Sequence, residues 1–137
     1  MSEAEYLDDA RLWLRYARED LAAAKAGIRD RDMAPRHICW LAQQAAEKAI
    51  KAVLVYLQVD FPKTHDLDAL RNLLPSGWQA KDNYQDLAHL SQWAVQARYP
   101  GDWPEATIAE ALEALSQAQN VYELVHSDLE QSGLRLC

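Results

Sequence analysis

Glycine and cysteine are scarce in this chain, and no long apolar run occurs in it. Four glycines in 137 residues, none in a Gly-rich run, leave no phosphate-cradling loop of the P-loop or dinucleotide-binding kind. The two cysteines, Cys39 and Cys137, have neither metal-binding nor redox spacing. Cys39 sits in an apolar helical stretch, where a buried thiol is the ordinary reading. No stretch approaches 18 consecutive apolar residues, so no membrane span is expected. The opening MSEAEYLDDARLW is acidic and lacks the apolar centre of a signal peptide, and the chain reads as cytoplasmic. His37, His65, His89 and His126 are never three or four residues apart, and no HExxH or acidic calcium loop occurs. No metal site and no cofactor are therefore expected. Nucleophile–base sites of the Ser/His/Asp kind have no local signature either.

Basic charge is also in short supply. The formal net charge is −7, which argues against a protein that coats nucleic acid by neutralising phosphates. The deficit is local. Residues 1–100 hold 13 Lys/Arg against 14 Asp/Glu, whereas residues 101–137 hold Arg135 alone against seven acids. A basic patch elsewhere on the surface is compatible with the total.

What is present is helical periodicity. Half of the residues are hydrophobic and 26% are charged, a globular composition that fits one domain over residues 1–137, with its core at about 5–128. Leu7, Ala10, Leu14, Ala17, Leu21, Ala24 and Ile28 recur every three or four positions, which predicts a first helix over about 3–28 begun by a Ser2/Glu5 capping box. Arg11, Arg15, Arg18 and Glu19 fall largely on its other faces. Gly27 is read as loosening the end.

Pro35 suits the first turn of a second helix, expected to run to about Gln58 with an Ile38, Leu41, Ala45, Ala49, Ala52, Val55 stripe. Thr64 is the expected cap of a short helix carrying Leu67, Leu70, Leu73 and Leu74. Asp82 and Gln85 resemble a further cap, before a fourth helix marked by Tyr84, Leu87, Leu90, Ser91, Ala94 and Val95. Asp102, Pro104 and Glu105 predict the start of the last helix, which should fray near Ser132-Gly133. No segment alternates with period two. The predicted fold is all-α, an up-and-down bundle of four long helices plus one short helix.

Three short stretches carry the candidate chemistry, each with two readings. Gln44, Glu47, Lys48 and Lys51 share one side of the second helix. They form either a solvated face with a Glu47–Lys51 pair or a polar groove against another helix. His65 and Asp66 in THDL sit at a helix start, either as part of a cap or with His65 lining a cleft. In RYPGDW, Arg98 either bonds the last carbonyls of the fourth helix or serves a ligand. Tyr99 and Trp103 either pack over the bundle end or stack on a base.

Taken in order, RHICWLAQQAAEKAIKAVLVYLQVDFPKTHDLDAL followed by ARYPGDWPEATIAEALEAL resembles the HEPN family (higher eukaryotes and prokaryotes nucleotide-binding), in its small bacterial and archaeal members. The family-like positions are Gln44, Ala45, Glu47, Lys48, Lys51, Thr64, His65, Leu67, Arg98, Tyr99 and Pro100, over roughly residues 5–128. The resemblance implies a helical bundle that forms a homodimer. It also implies a minimal nucleotidyltransferase as partner in a two-component or toxin–antitoxin system, and a nucleotide as ligand, with RNA less favoured.

Catalytic members of the family are metal-independent ribonucleases that carry Arg, four to six residues, then His. Here Arg98 is followed by Trp103, Pro104 and Glu105 at the three positions where that His would fall. Trp and Pro cannot shuttle a proton. A formal match from Arg31 to His37 lies in the first connection and reads as coincidence. The expectation leans away from an enzyme, towards a dimeric binding module with Arg98, Tyr99, His65, Lys48, Gln44, Glu47 and Trp103 as ligand contacts. A ribonuclease with an altered composite site at the dimer interface is the alternative. The resemblance also implies Tyr99 as an acceptor of AMP from the partner.

Overall fold

A computed structural model describes residues 2–30, 32–83 and 86–136. Every regular element among them is helical: α1 (Glu3–Arg29), α2 (Pro35–Tyr56), α3 (Leu67–Arg71), α4 (Gln79–Asp82), α5 (Ala88–Ser91), α6 (Trp93–Gln96) and α7 (Ile108–Gln131). Arg31, Tyr84, Gln85 and Cys137 lie outside the described residues. The Arg31–His37 match, the Gln85 cap and the Tyr84 helix position lie there too.

α1 follows its predicted apolar stripe, whereas α2 is buried on more than one face. The stripe expected for the last helix (Ile108, Leu112, Leu115, Gln119, Tyr122, Val125 and Leu129) is displaced: α7 buries Ala111, Ala114, Ala118, Val121, Val125 and Leu129 and leaves Ile108 and Leu112 half exposed. In α1 the Ser2 hydroxyl accepts from the Glu5 N–H, and Ala10, Leu14, Ala17, Leu21 and Ala24 are buried. Pro35 occupies the first turn of α2, where its missing N–H costs nothing. Alanine dominates the seams. Ala10, Ala17 and Ala24 of α1, five alanines of α2 and Ala111, Ala114 and Ala118 of α7 are all 2% exposed or less. Small side chains let helix axes approach closely. Gly27 is buried, and a Cβ there would run into the Met33 sulfur, so this glycine serves close packing and does not fray the helix end.

The contacts give directions. Lys48 pairs with Asp20, and Lys51 lies over the Trp13 ring, so α2 runs antiparallel to α1. The Tyr56 hydroxyl donates to the Ser132 carbonyl, and the Cys39 thiol is pushed up to about 12 by burial first and then by the nearby Glu110 charge, so α7 runs parallel to α2. The chain must therefore climb back between them. It leaves α4 beside the end of α7, where both Asp128 carboxylate oxygens accept from the N–H groups of Gln79 and Ala80. It arrives beside the start of α2, where the Arg36 guanidinium donates to the Ala97 carbonyl.

Three expectations need correction. The return path is not a fourth long helix but the short turns α5 and α6, broken at Gln92. Of the predicted positions Leu87, Leu90 and Ala94 are buried, but Val95 is 52% exposed, and Trp93, which the pattern did not include, is buried in its place. The last helix does not begin at Asp102. Thr107 and Glu110 form its capping box, with Thr107 Oγ1 accepting from the Glu110 N–H and the Glu110 carboxylate accepting from the Thr107 N–H. Residues 102–106 stay outside the helix. Likewise Asp66, and not Thr64, caps α3, accepting from the Asp68 and Ala69 N–H groups, while Thr64 accepts from the Asp66 N–H in the preceding turn. In the last two cases two capping residues stood a few positions apart, and the downstream one won.

Candidate functional site

The late start of α7 opens a cleft. With residues 97–106 held out of helix, a cavity of about 410 Å³ forms at the end of the bundle. Arg36, Arg98, Trp93, Tyr99, Trp103 and Glu105 are among its lining residues. Arg36 comes from the first turn of α2, Trp93 from α6, and the rest from the connection to α7. Trp93 is only 3% exposed and its indole N–H has no partner among the described residues. Trp103 folds over Gly101, whose missing Cβ makes room for the ring. The Arg98 guanidinium lies 5.2 Å from the Tyr99 ring centroid, a cation–π distance, and Tyr99 itself is 53% exposed. Glu105, expected as a helix cap, is instead a cleft residue. Two guanidiniums, one carboxylate and three aromatic rings suit a planar ring joined to an oxyanion: guanidinium forks match phosphate oxygens, and flat rings offer stacking platforms.

The polar residues of α2 form a second cluster, set deeper into the bundle. Glu47 is 4% exposed. Its Oε2 accepts from Lys51 Nζ at 2.8 Å, and its Oε1 meets His65 Nδ1 at 2.8 Å and Gln43 Nε2 at 3.1 Å. Gln43, fully buried, also donates to the His65 carbonyl and accepts from Gln44. Lys51 rests between the Trp13 and Phe61 rings at 5.6 and 5.5 Å. Burial pushes the Glu47 carboxyl up, but hydrogen bonds from Lys51, His65 and Gln43, with the Lys51 charge, outweigh it and hold the group below its ordinary value. The solvated-face reading of this band therefore fails for Glu47 and Lys51, whose charges are enclosed. The cluster fastens the loop before α3 to the middle of α2.

Of the seven residues expected to contact a ligand, Arg98, Tyr99 and Trp103 line the end cleft. His65, Glu47, Gln44 and Lys48 are not among its lining residues. Gln43 lies seven residues beyond Arg36 on α2 and Lys48 twelve, so these levels are roughly 10 and 18 Å away along the axis. Lys48 is engaged with Asp20 of α1 at 2.6 Å, both side chains largely covered. The sequence pattern did not point to Arg36, and it did not single out Trp93 from the other tryptophans as a cleft residue. Pro35 drew attention to the helix start as a cap, and nothing in the local pattern says that α6 returns to it. Gln43 was missed because Gln44 beside it fits the polar band equally well. Among the described residues no group of three or more His, Cys, Asp or Glu could hold a metal ion, and no helix is long and apolar enough to cross a membrane.

The sequence profile of the HEPN domain matches residues 10–129. The chain belongs to the HEPN family. A relative from Methanocaldococcus jannaschii, named "Putative toxin MJ1304", is 29% identical over 142 aligned positions, which span 92% of this chain and 92% of the relative. No solved structure matches significantly. Within the HEPN frame the end cleft holds the arginine that the resemblance singled out, Arg98, and no histidine is among its lining residues.

Proposed function

We propose that this HEPN protein is a homodimeric binding module of a toxin–antitoxin-type pair, and that it takes a nucleotide in the end cleft and docks with a minimal nucleotidyltransferase. The observation that carries the ligand reading is the cleft itself. Arg36 and Arg98 are supplied by different elements and converge beside Tyr99, Trp93 and Trp103. The guanidiniums would hold the phosphate, and the Tyr99 or Trp103 ring would stack on the base. The name of the archaeal relative supports the pairing with a partner. Exposed Val95, Tyr99, Ile108 and Leu112, at 50–53%, lie on α6, the cleft loop and the first turns of α7. They are the apolar surface available for a dimer contact that would bring two clefts together.

Isothermal titration of AMP tests the ligand reading, with Arg36→Ala and Arg98→Ala as probes. Loss of binding in both variants is expected, and binding that survives both would refute the cleft. Co-purification with the product of the neighbouring gene tests the pairing, and a monomeric mass by light scattering would refute the dimer.

A ribonuclease reading is favoured by one observation, the release of Glu105 from helix capping into the cleft that holds Arg98. A carboxylate there could take the proton of a ribose 2′-hydroxyl while Arg98 holds the phosphate. EDTA-resistant RNA cleavage lost in Glu105→Gln and Arg98→Ala would establish it, and no cleavage by the wild-type protein would dispose of it.

A further inference from the structure

The arginines of α1 take no part in the end cleft. Arg11, Arg15 and Arg18 instead line a separate groove of about 270 Å³, faced by Tyr122 and His126 of α7. Tyr122 lies fourteen residues into α7 from Ile108, so the groove is roughly 20 Å from the cleft along that helix. On α1 the three guanidinium-bearing positions rise in steps of about 6 and 4.5 Å along one face. Across from them the Tyr122 and His126 rings lie 5.9 Å apart at 39°. Leu14, 4% exposed, gives the groove an apolar floor.

The charge in this groove is incompletely answered. Asp8 is the one acidic residue among those lining it. Arg11 is engaged, donating to Asp8 at 2.9 Å and to the Arg135 carbonyl at 2.8 Å. Arg15 approaches Glu19 only to 3.7 Å, beyond hydrogen-bond length. Arg18 has no hydrogen bond or ion pair with any described residue, although it lies close enough to Tyr122 to act on its phenol electrostatically. His126 faces Glu130 on its own helix at 3.1 Å. Like charges at i and i+4 on a helix are mildly destabilising. A ligand with linked phosphates would neutralise two of them at once through paired guanidinium forks.

We propose that this groove is a second ligand site, for a nucleoside polyphosphate, with Arg15 and Arg18 on the phosphates and the Tyr122–His126 rings against the base. The site is independent of the end cleft. The two positions are stepped by about 4.5 Å along the helix axis, so a di- or triphosphate offers each guanidinium fork its own phosphate, where a lone phosphate has to be shared. Affinity should therefore climb with phosphate number, and adenosine alone should bind least.

The test is calorimetric titration of ATP, AMP, adenosine and inorganic tripolyphosphate into the Arg98→Ala protein, in which the end cleft is disabled. ATP should still bind, at least tenfold more tightly than AMP, and tripolyphosphate should compete with it. Adding Arg18→Ala or Arg15→Ala should weaken ATP binding at least tenfold. Adding Arg29→Ala, which removes a base from the far end of α1, should change it less than twofold. Circular dichroism of each variant checks that these surface changes leave the helices formed. The proposal is overturned if ATP does not bind the Arg98→Ala protein at millimolar concentration, if AMP binds as well as ATP, or if the Arg29 change costs as much as the Arg18 change. Failure of the end cleft shows up separately, as AMP binding in wild-type protein that Arg98→Ala leaves unaltered.

Discussion

Replacing Glu47 by alanine should be the most destabilising single charge removal in this bundle. The carboxylate is 4% exposed and receives hydrogen bonds from three side chains on two segments. Its removal leaves the Lys51 ammonium, 9% exposed, without its counter-charge. Two aromatic rings remain near Lys51, but cation–π attraction of about 1–2 kcal/mol does not replace an enclosed ion pair. Removing one partner of a buried pair costs about 3–5 kcal/mol. For a chain of this length that corresponds to a fall of roughly 10–20 °C in melting temperature. Urea denaturation gives the free energy directly. The double variant Glu47→Leu/Lys51→Met removes both charges and should recover most of the loss, because apolar residues of similar volume replace the pair.

The pH dependence has a defined sign. The folded carboxyl lies below its ordinary value of 4.5, so its contribution is present in full above that value. It is lost as pH falls through the lower folded value. The gap between wild type and Glu47→Ala should thus narrow only in acid. A loss below about 1 kcal/mol at pH 7, in the range of exposed pairs, would refute the claim that this network is enclosed.

Three further outcomes follow from the packing. Thr107→Ala should cost about 1 kcal/mol by removing the α7 cap, whereas Asp102→Ala should change thermal stability by less than about 0.5 kcal/mol; equal effects would move the helix start back upstream. Asp128→Ala should cost about 1–3 kcal/mol by stranding the Gln79 and Ala80 N–H groups, with faster amide exchange at those residues as the direct readout. Ala17→Leu at the fully buried α1 seam should cost about 1–3 kcal/mol in urea denaturation through overpacking, despite added apolar area; a stabilised protein would contradict the close seam.

The long helices were legible because apolar residues recur through each of them with period 3.6, which survives uncertainty at the ends. The face was read correctly only for α1: α2 is buried nearly all round, and α7 turns its alanines inward and leaves Ile108 and Leu112 exposed. The return path was not legible. Its apolar positions satisfy helical spacing, yet the chain turns at Gln92, and what holds it in place is distant in sequence: Asp128 at one end and Arg36 at the other. The same non-local contact hid Arg36 from the candidate site. Local capping patterns misled where they came in pairs, Asp102-x-x-Glu105 before Thr107-x-x-Glu110 and Thr64 before Asp66. The first of these mattered for function. Moving the helix start by five residues turns Glu105 from a cap into a cleft residue and leaves Arg98, Tyr99 and Trp103 around an open cavity. In the α2 band, helical spacing put Glu47 and Lys51 on one face, but it takes Trp13 of α1 and the loop carrying Phe61 and His65 to explain why that face is covered.

The central claim is that the Arg36–Arg98 cleft binds a nucleotide and does not cut RNA. The most direct measurement follows one wild-type preparation and its Arg98→Ala counterpart in parallel, by AMP titration and by RNA cleavage in EDTA. The account predicts AMP binding that Arg98→Ala abolishes, with no RNA cleavage by either protein. Cleavage by the wild-type protein that vanishes in Arg98→Ala, or AMP binding indifferent to that change, would contradict it.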